Sequence, residues 1–562
     1  MKRLFTAGLA LVLCLSLAMV TSATEQDLLP DISEYHDEIY AALYETDLLS
    51  LREALQCGVI TSTELTRYYL DRIEKYNEDY NCFITICDDA LDVAAQRDEL
   101  LQKGQGDGLL FGIPIVIKDN MDLAGFHTTN GLKRNDKQIA KSNADVVQYL
   151  LNEGAVIIAK GNMSTEAQDA LRSKSQVAGE TKNAYSKYMA AGGSSGGSAV
   201  SVSLNFASAS LGTDTNSSLR IPAALAGCVS LRPTFGKISV SGIVKLNGTR
   251  DVPGAITRTV YDQAIMLDVL TQGQYEFTKN LDKNVLQGMR IGVLKQLSYA
   301  IGSRNRTEAN IDDEVAAAFE NALQELRECG AEVVEISFSN LFSLSDKTFN
   351  SSDAKKKEAL YTAFASLMEK ENVSVVVYPT YLSTPIRSGK DASGQTWDVY
   401  DQININNCRT LSPSASIPEI TVPIGVHSLG AGIGMEITSL KNSEQLLLDV
   451  AYSYTSRYDH RIAPEGAPND YAEKYIGNLV QVMQKIEDDA NAATELTIAE
   501  TIAQTVTPSE QGNAPSRQLP AIVYWMFALL AVLVIALALL LVVSANRRKR
   551  KRRRNPLYQK MQ

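Results

Sequence analysis

Leu65, Tyr69, Ile73 and Tyr76 recur at helical spacing behind Thr61 and Glu64. The pattern predicts an amphipathic helix opened by a capping box. Residues 145–153 follow the same period, Gly154 stops it, and the apolar run 155–159 reads as a buried strand. A helix over 314–329 leads into a strand over 332–336 in the same way. Residues 373–378 form another apolar run, closed by Pro379-Thr380. Residues 109–117 read as an apolar strand that ends on a single lysine, Lys118. Residues 209–212 read as a strand giving way to a helix over 218–226. Helices alternating with buried strands predict an α/β fold with a large covered sheet.

The two ends have a different pattern. Lys2 and Arg3 precede an apolar run over 4–20 and the small residues Thr21-Ser22-Ala23, the form of a secretory signal peptide over 1–23. Residues 521–545 are almost wholly apolar, and eight basic residues follow over 547–554. Their length predicts one C-terminal transmembrane helix, and their flank predicts a cytoplasmic tail over 546–562. Tyr524 and Trp525 suit the outer interface. The expected organisation is a polar lead-in over 24–48, one domain over 49–483, a stalk over 484–520, and a single-pass membrane location with the domain outside.

Charge sharpens this picture. The chain carries −11 overall, residues 1–23 carry +2 and residues 521–562 carry +9, so 24–520 carry −22. Such a surface repels phosphate backbones and disfavours a nucleic-acid partner. Six cysteines follow residue 23 with no CxxC or Cys/His metal spacing.

Two serine-rich glycine loops carry the candidate chemistry. The first is Gly192-Gly193-Ser194-Ser195-Gly196-Gly197-Ser198, and the second runs from Gly212-Thr213-Asp214-Thr215-Asn216-Ser217-Ser218 to Arg220. Taken alone, they admit several readings. Both can be tight turns. The first also fits the G-x-S-x-G elbow of α/β-hydrolases, with Ser195 as an esterase nucleophile, but the lead-in 185–191 is a poor buried strand and no histidine stands in a triad context. A phosphate loop fails because Ser198, not lysine, follows Gly197.

Taken with Lys118, the loops resemble the amidase signature family of serine hydrolases. Ser218 lies 24 residues after Ser194, and Ser194 lies 76 after Lys118, close to the family's intervals. Phe111-Gly112-Ile113-Pro114, Lys118-Asp119-Asn120, 161–167, 231–236, Pro253-Gly254, Arg258-Thr259-Val260 and 420–425 follow the family's order, so the likeness spans most of 50–465. The resemblance implies an amidase signature fold with a large mixed central sheet covered by helices on both faces. It implies hydrolysis of a small-molecule or peptide amide through an acyl-enzyme on Ser218, with Ser194, in a cis peptide, as proton shuttle and Lys118 as base. The backbone N–H groups of Thr215, Asn216, Ser217 and Ser218 would form the oxyanion hole. Ser195, Asp214 and Arg220 would support the site, and no metal or organic cofactor is implied. Asn216 and Ser217 depart from the family, which places two glycines there. That departure raises two expectations: mild backbone strain or an altered oxyanion hole, and narrowed space beside the acyl carbonyl. It also motivates the alternative of a non-catalytic surface binding protein. Among family activities, the signal peptide and acidic charge count against the tRNA-dependent amidotransferase. Lipid, peptide, aryl and wall-derived amides remain open, and the oligomeric state is not legible.

Overall fold

Eleven strands form one mixed sheet in the computed structural model, which describes residues 32–299, 311–349, 353–383, 387–388, 407–473 and 477–506. The strands β1 (Phe83–Ile86), β2 (Pro114–Lys118) and β3 (Val156–Gly161) make one end of it. A separate hairpin joins β4 (Lys174–Ser175) to β5 (Gly179–Glu180). β6 (Ala209–Asp214), β7 (Val229–Arg232) and β8 (Val252–Thr257) form the centre. β9 (Arg290–Leu294), β10 (Glu332–Ile336), β11 (Val375–Pro379), β12 (Glu419–His427) and β13 (Ala431–Thr438) complete the sheet. The spatial order is β1-β3-β2-β6-β8-β7-β12-β13-β11-β9-β10. Parallel pairs (β3 with β2, β2 with β6, β11 with β9, β9 with β10) flank an antiparallel centre.

Every residue of β2, β3, β6, β7, β8, β11 and β13 is buried. Successive side chains point to opposite faces, so continuous burial means that both faces are covered. The helix Gly196–Ser203 packs on β2, β6 and β8, and the short helix Arg220–Leu225 packs on β7, β12 and β13. β10 is only partly buried, as befits the last strand in the order.

The helix Ser62–Tyr80 carries both bonds of its capping box between Thr61 and Glu64, and Leu65, Tyr69 and Ile73 are buried along it. Two elements are shorter than the pattern predicts. β2 begins only at Pro114, because Gly112 turns the chain at φ +74°. The helix after Ser218 begins at Arg220, leaving Ser218 in the loop before it.

The described chain divides into a unit over Glu34–Met483 and a second unit that includes residues from Gln484 onward. The expected transmembrane helix is corrected. Among the described residues no helix is long and apolar enough to cross a membrane. The 28-residue helix Leu479–Val506 is long enough, but Lys485, Glu487, Asp488 and Asp489 interrupt its apolar character. The segment 521–545 and the signal-peptide segment 1–23 lie outside the described residues. The fold class is therefore the α/β mixed sheet alone, and the single-pass location is withdrawn with the helix on which it rested.

Candidate active site

Parallel neighbours β2 and β6 position Lys118 and the second serine loop together. Ile117 pairs with Leu211, so Lys118 at the end of β2 lies beside Gly212-Thr213 of β6. Ser194 and Ser195 stand just before the helix Gly196–Ser203, whose first residues press against β3. A Cβ on Gly197 would come within 2.3 Å of the Cys82 carbonyl oxygen and 2.4 Å of Asn162 N, so only glycine fits there. The Gly193–Ser194 peptide is cis.

Three hydroxyls surround the Lys118 amine. Nζ lies 2.6 Å from Ser194 Oγ, 2.9 Å from Ser195 Oγ and 2.9 Å from Thr213 Oγ1. Ser195 donates its own proton to the Thr213 carbonyl at 3.2 Å, and Asn120 Nδ2 donates to Thr213 Oγ1 at 3.2 Å. Lys118, Ser194 and Ser195 are each fully buried. Burial disfavours the charged amine and lowers the Lys118 pKa to about 7, although Asp214 and Asp251 pull the other way.

Ser218 occupies the loop after β6 and keeps 6% of its surface exposed, more than Ser194 or Ser195. Among the described residues no hydrogen bond joins its hydroxyl to Ser194. None of the N–H groups of Thr215, Asn216, Ser217 and Ser218 is taken by a backbone acceptor there. Neither Asn216 nor Ser217 has a positive φ. Replacing the glycine pair therefore imposes no left-handed strain, and the effect of the substitution lies in the two side chains. The Asn216 Oδ1 and Ser217 Oγ atoms are buried without a partner.

A buried charge network holds this loop from behind. The Asp214 carboxylate takes Arg220 Nε at 3.1 Å and Arg232 Nη1 at 2.9 Å. Burial alone would raise the Asp214 pKa, but the two guanidiniums outweigh it and hold the carboxyl below its ordinary value. Arg220 Nη2 donates to the Asn216 carbonyl at 2.7 Å. Thr215 Oγ1 donates to Asp251 Oδ1 at 2.5 Å, and the other oxygen of Asp251 accepts from the N–H groups of Leu246 and Asn247 at 2.8 Å each. A recess lined by Asn120, Thr213, Thr215, Asp251 and the apolar residues Ile243 and Leu246 opens beside the cage.

The elbow reading finds no support in this geometry. Ser195 meets lysine and threonine, whereas His427 faces Asp312 and His460 faces Glu325. Sequence reasoning missed Thr213 and Asp251, which the structure brings beside Lys118 and the second serine loop. Thr213 had a signal in its position between Gly212 and Asp214; Asp251 lies outside both serine loops and had none.

A family model for amidases matches residues 64–363. The chain belongs to the amidase family. Among curated relatives, a glutamyl-tRNA(Gln) amidotransferase subunit of Nitrosococcus oceani is 34% identical to this chain over 310 residues, covering 53% of the chain and 62% of the relative. The chain thus spans about three fifths of the length of such relatives. The native peptide amidase of Stenotrophomonas maltophilia has a similar structure, with a TM-score of 0.64 and 25% identity over 76% of this chain and all of that one. A bacterial aryl acylamidase shares the fold at a TM-score of 0.63 and 18% identity, covering 77% of this chain and 98% of that one.

Proposed function

We propose that this protein hydrolyses carboxylic amides through an acyl-enzyme on Ser218, with Ser194 as proton shuttle and Lys118 as base. The hydroxyl cage around Lys118 is the observation that carries the reading. A neutral amine has two N–H donors and one lone pair. Ser195 has committed its proton to the Thr213 carbonyl, so its oxygen accepts one N–H. Thr213 Oγ1 accepts the other. The remaining neighbour, Ser194 at 2.6 Å, then donates its proton to the lone pair. With a pKa near 7, about half of the Lys118 side chains are neutral at neutral pH.

Ser194, leaning on Lys118, accepts the Ser218 proton as Ser218 Oγ attacks the amide carbon. The free N–H groups over 215–218 face the oxyanion. The proton returns through Ser194 to the leaving amine, and water then repeats the sequence on the ester. The substrate class is a small or peptide amide, in keeping with the peptide amidase likeness. The net −22 over 24–520 argues against an RNA-borne substrate.

Intact-mass measurement after fluorophosphonate treatment tests the reading. One adduct on the wild type, absent from Ser218→Ala, is expected. A folded wild type that takes no adduct overturns it and turns the search to ligands of a non-catalytic fold.

A further inference from the structure

Glu419 on β12 and Glu436 on β13 are both fully buried, on neighbouring antiparallel strands where Glu436 pairs with Thr421. Both reach one guanidinium. Glu419 forms a direct ion pair with Arg220 Nη1, and Glu436 lies 3.5 Å from the same nitrogen. Tyr378 on β11 donates its phenol proton to the other oxygen of Glu419. Arg220 Nη1 also donates to the Cys408 carbonyl at 2.9 Å. The guanidinium therefore links the two acids to the Asn216 carbonyl beside the nucleophile.

Crowding on one guanidinium assigns the protons. Glu419 and Glu436 both meet Arg220 Nη1, and Asp214 holds the same Arg220 together with Arg232, while Arg250 and Lys118 act, of these acids, on Asp214 alone. Two ionised glutamates buried against one shared guanidinium repel each other, so one of them keeps its proton. Glu436 is that acid, with its longer contact and an Oε1 that lacks a partner. Burial and the neighbouring Glu419 push its carboxyl well above the ordinary range. Glu419 carries the charge that holds Arg220.

The link to the site is one peptide plane. The Asn216 carbonyl and the Ser217 N–H belong to the same planar unit and point in opposite directions. Fixing the carbonyl on Arg220 therefore aims that N–H.

We propose that Glu419 is a positioning residue that acts through Arg220 to aim the Ser217 N–H at the acyl oxygen, and that the site works only with Glu419 ionised. This rests on the reading of Ser218 as nucleophile. The charged and titratable groups facing Glu419 are Arg220, Tyr378, Glu436, Asp214, Arg232 and the buried Cys408 thiol, which burial keeps protonated. Burial raises the Glu419 pKa above the ordinary carboxylate range, towards the value of about 7 at which Lys118 loses its proton, against the pull of Arg220 and of the Tyr378 hydrogen bond. Two deprotonations are then needed together, and the acid limb of activity has a slope near two rather than one.

The rate of fluorophosphonate labelling of the full-length chain, measured between about pH 5 and 9, tests this. Expected for Glu419→Gln is labelling about tenfold slower at neutral pH and a slope that drops from about two to about one. Glu436→Gln keeps the wild-type slope. Tyr378→Phe removes a donor to the ionised carboxylate and moves the acid limb to higher pH. A wild-type slope of about one, a cooperatively melting Glu419→Gln with the wild-type slope, or a lowered slope in Glu436→Gln overturns the proposal. If Glu419→Gln does not melt cooperatively, Tyr378→Phe decides: a shifted limb supports the proposal and an unshifted one overturns it. An unlabelled wild type overturns this proposal and the amidase mechanism together, whereas a labelled wild type with an indifferent Glu419→Gln overturns this one alone.

Discussion

Thr213 Oγ1 lies 2.9 Å from Lys118 Nζ, across the boundary between two parallel strands. This contact takes one of the amine's two N–H donors and leaves the lone pair for Ser194. Thr213→Val keeps the shape and removes the acceptor. Losing one buried hydrogen bond of this kind costs about 1–2 kcal/mol. We expect kcat to fall about tenfold with KM little changed, as steady-state kinetics on an accepted amide can check. An unchanged kcat would remove Thr213 from the proton arrangement.

Lys118 carries a stability cost with a definite sign. Its amine titrates near 7 in the fold and at about 10.4 in the unfolded chain. Between those values the unfolded state binds more protons, so wild-type stability rises with pH across that window. Below about 7 the whole cost is present. Lys118→Met should abolish turnover and melt at a higher temperature than the wild type, with the gap widest at low pH and closing as pH rises towards about 10. A gap that does not depend on pH would contradict the depressed amine.

Restoring glycine at 216 and 217 separates shape from chemistry. The loop has no positive φ at either position, so the double variant relieves no strain. It adds unfolded-chain entropy and should lower the melting temperature modestly. It also clears two side chains from beside Ser218. Activity on bulky amides should rise relative to small ones, in a panel compared by kcat/KM. Unchanged selectivity would mean that both side chains point away from the substrate.

Arg220→Met leaves Asp214 and Glu419 short of a buried partner. Removing one member of such a set typically costs about 3–5 kcal/mol, measurable by urea unfolding. The pH dependence follows from Asp214. Its carboxyl is held low in the fold, so its contribution is present above the ordinary carboxylate range and is lost as pH falls through the folded value. Without Arg220 that loss should begin at a higher pH, raising the midpoint of acid unfolding.

The chain announces some of this site and conceals the rest, for physical reasons. Lys118, Ser194 and Ser218 stand in short glycine-bearing segments, where backbone crowding restricts what can be placed. Gly197 is an example, since its Cβ would strike two backbone groups. Helix starts were legible where a side chain caps them, as Thr61 does. Glu419 and Glu436 were not legible, because a glutamate in a strand reads as a solvent-facing position. They are buried where Arg220, some two hundred residues earlier, meets them across the sheet. The strand expected over 109–117 came out short because an apolar run does not reveal a turn at Gly112. The membrane reading came from hydropathy at the C-terminal end, and no described helix bears it out.

The order of strands bears on how the protein should unfold. β2 and β6, which carry Lys118 and Thr213, have partners on both sides and no exposed residue, whereas β10 has one neighbour and a half-wet surface. Local opening starts where backbone bonds face water and few apolar groups hold them. In deuterium the amides of β10 should exchange first and those of β2 and β6 among the last. The Lys118–Thr213 contact is thus anchored in the slowest-exchanging part of the molecule, and loosening of the outer strand under mild denaturant should precede, and not accompany, the loss of fluorophosphonate labelling.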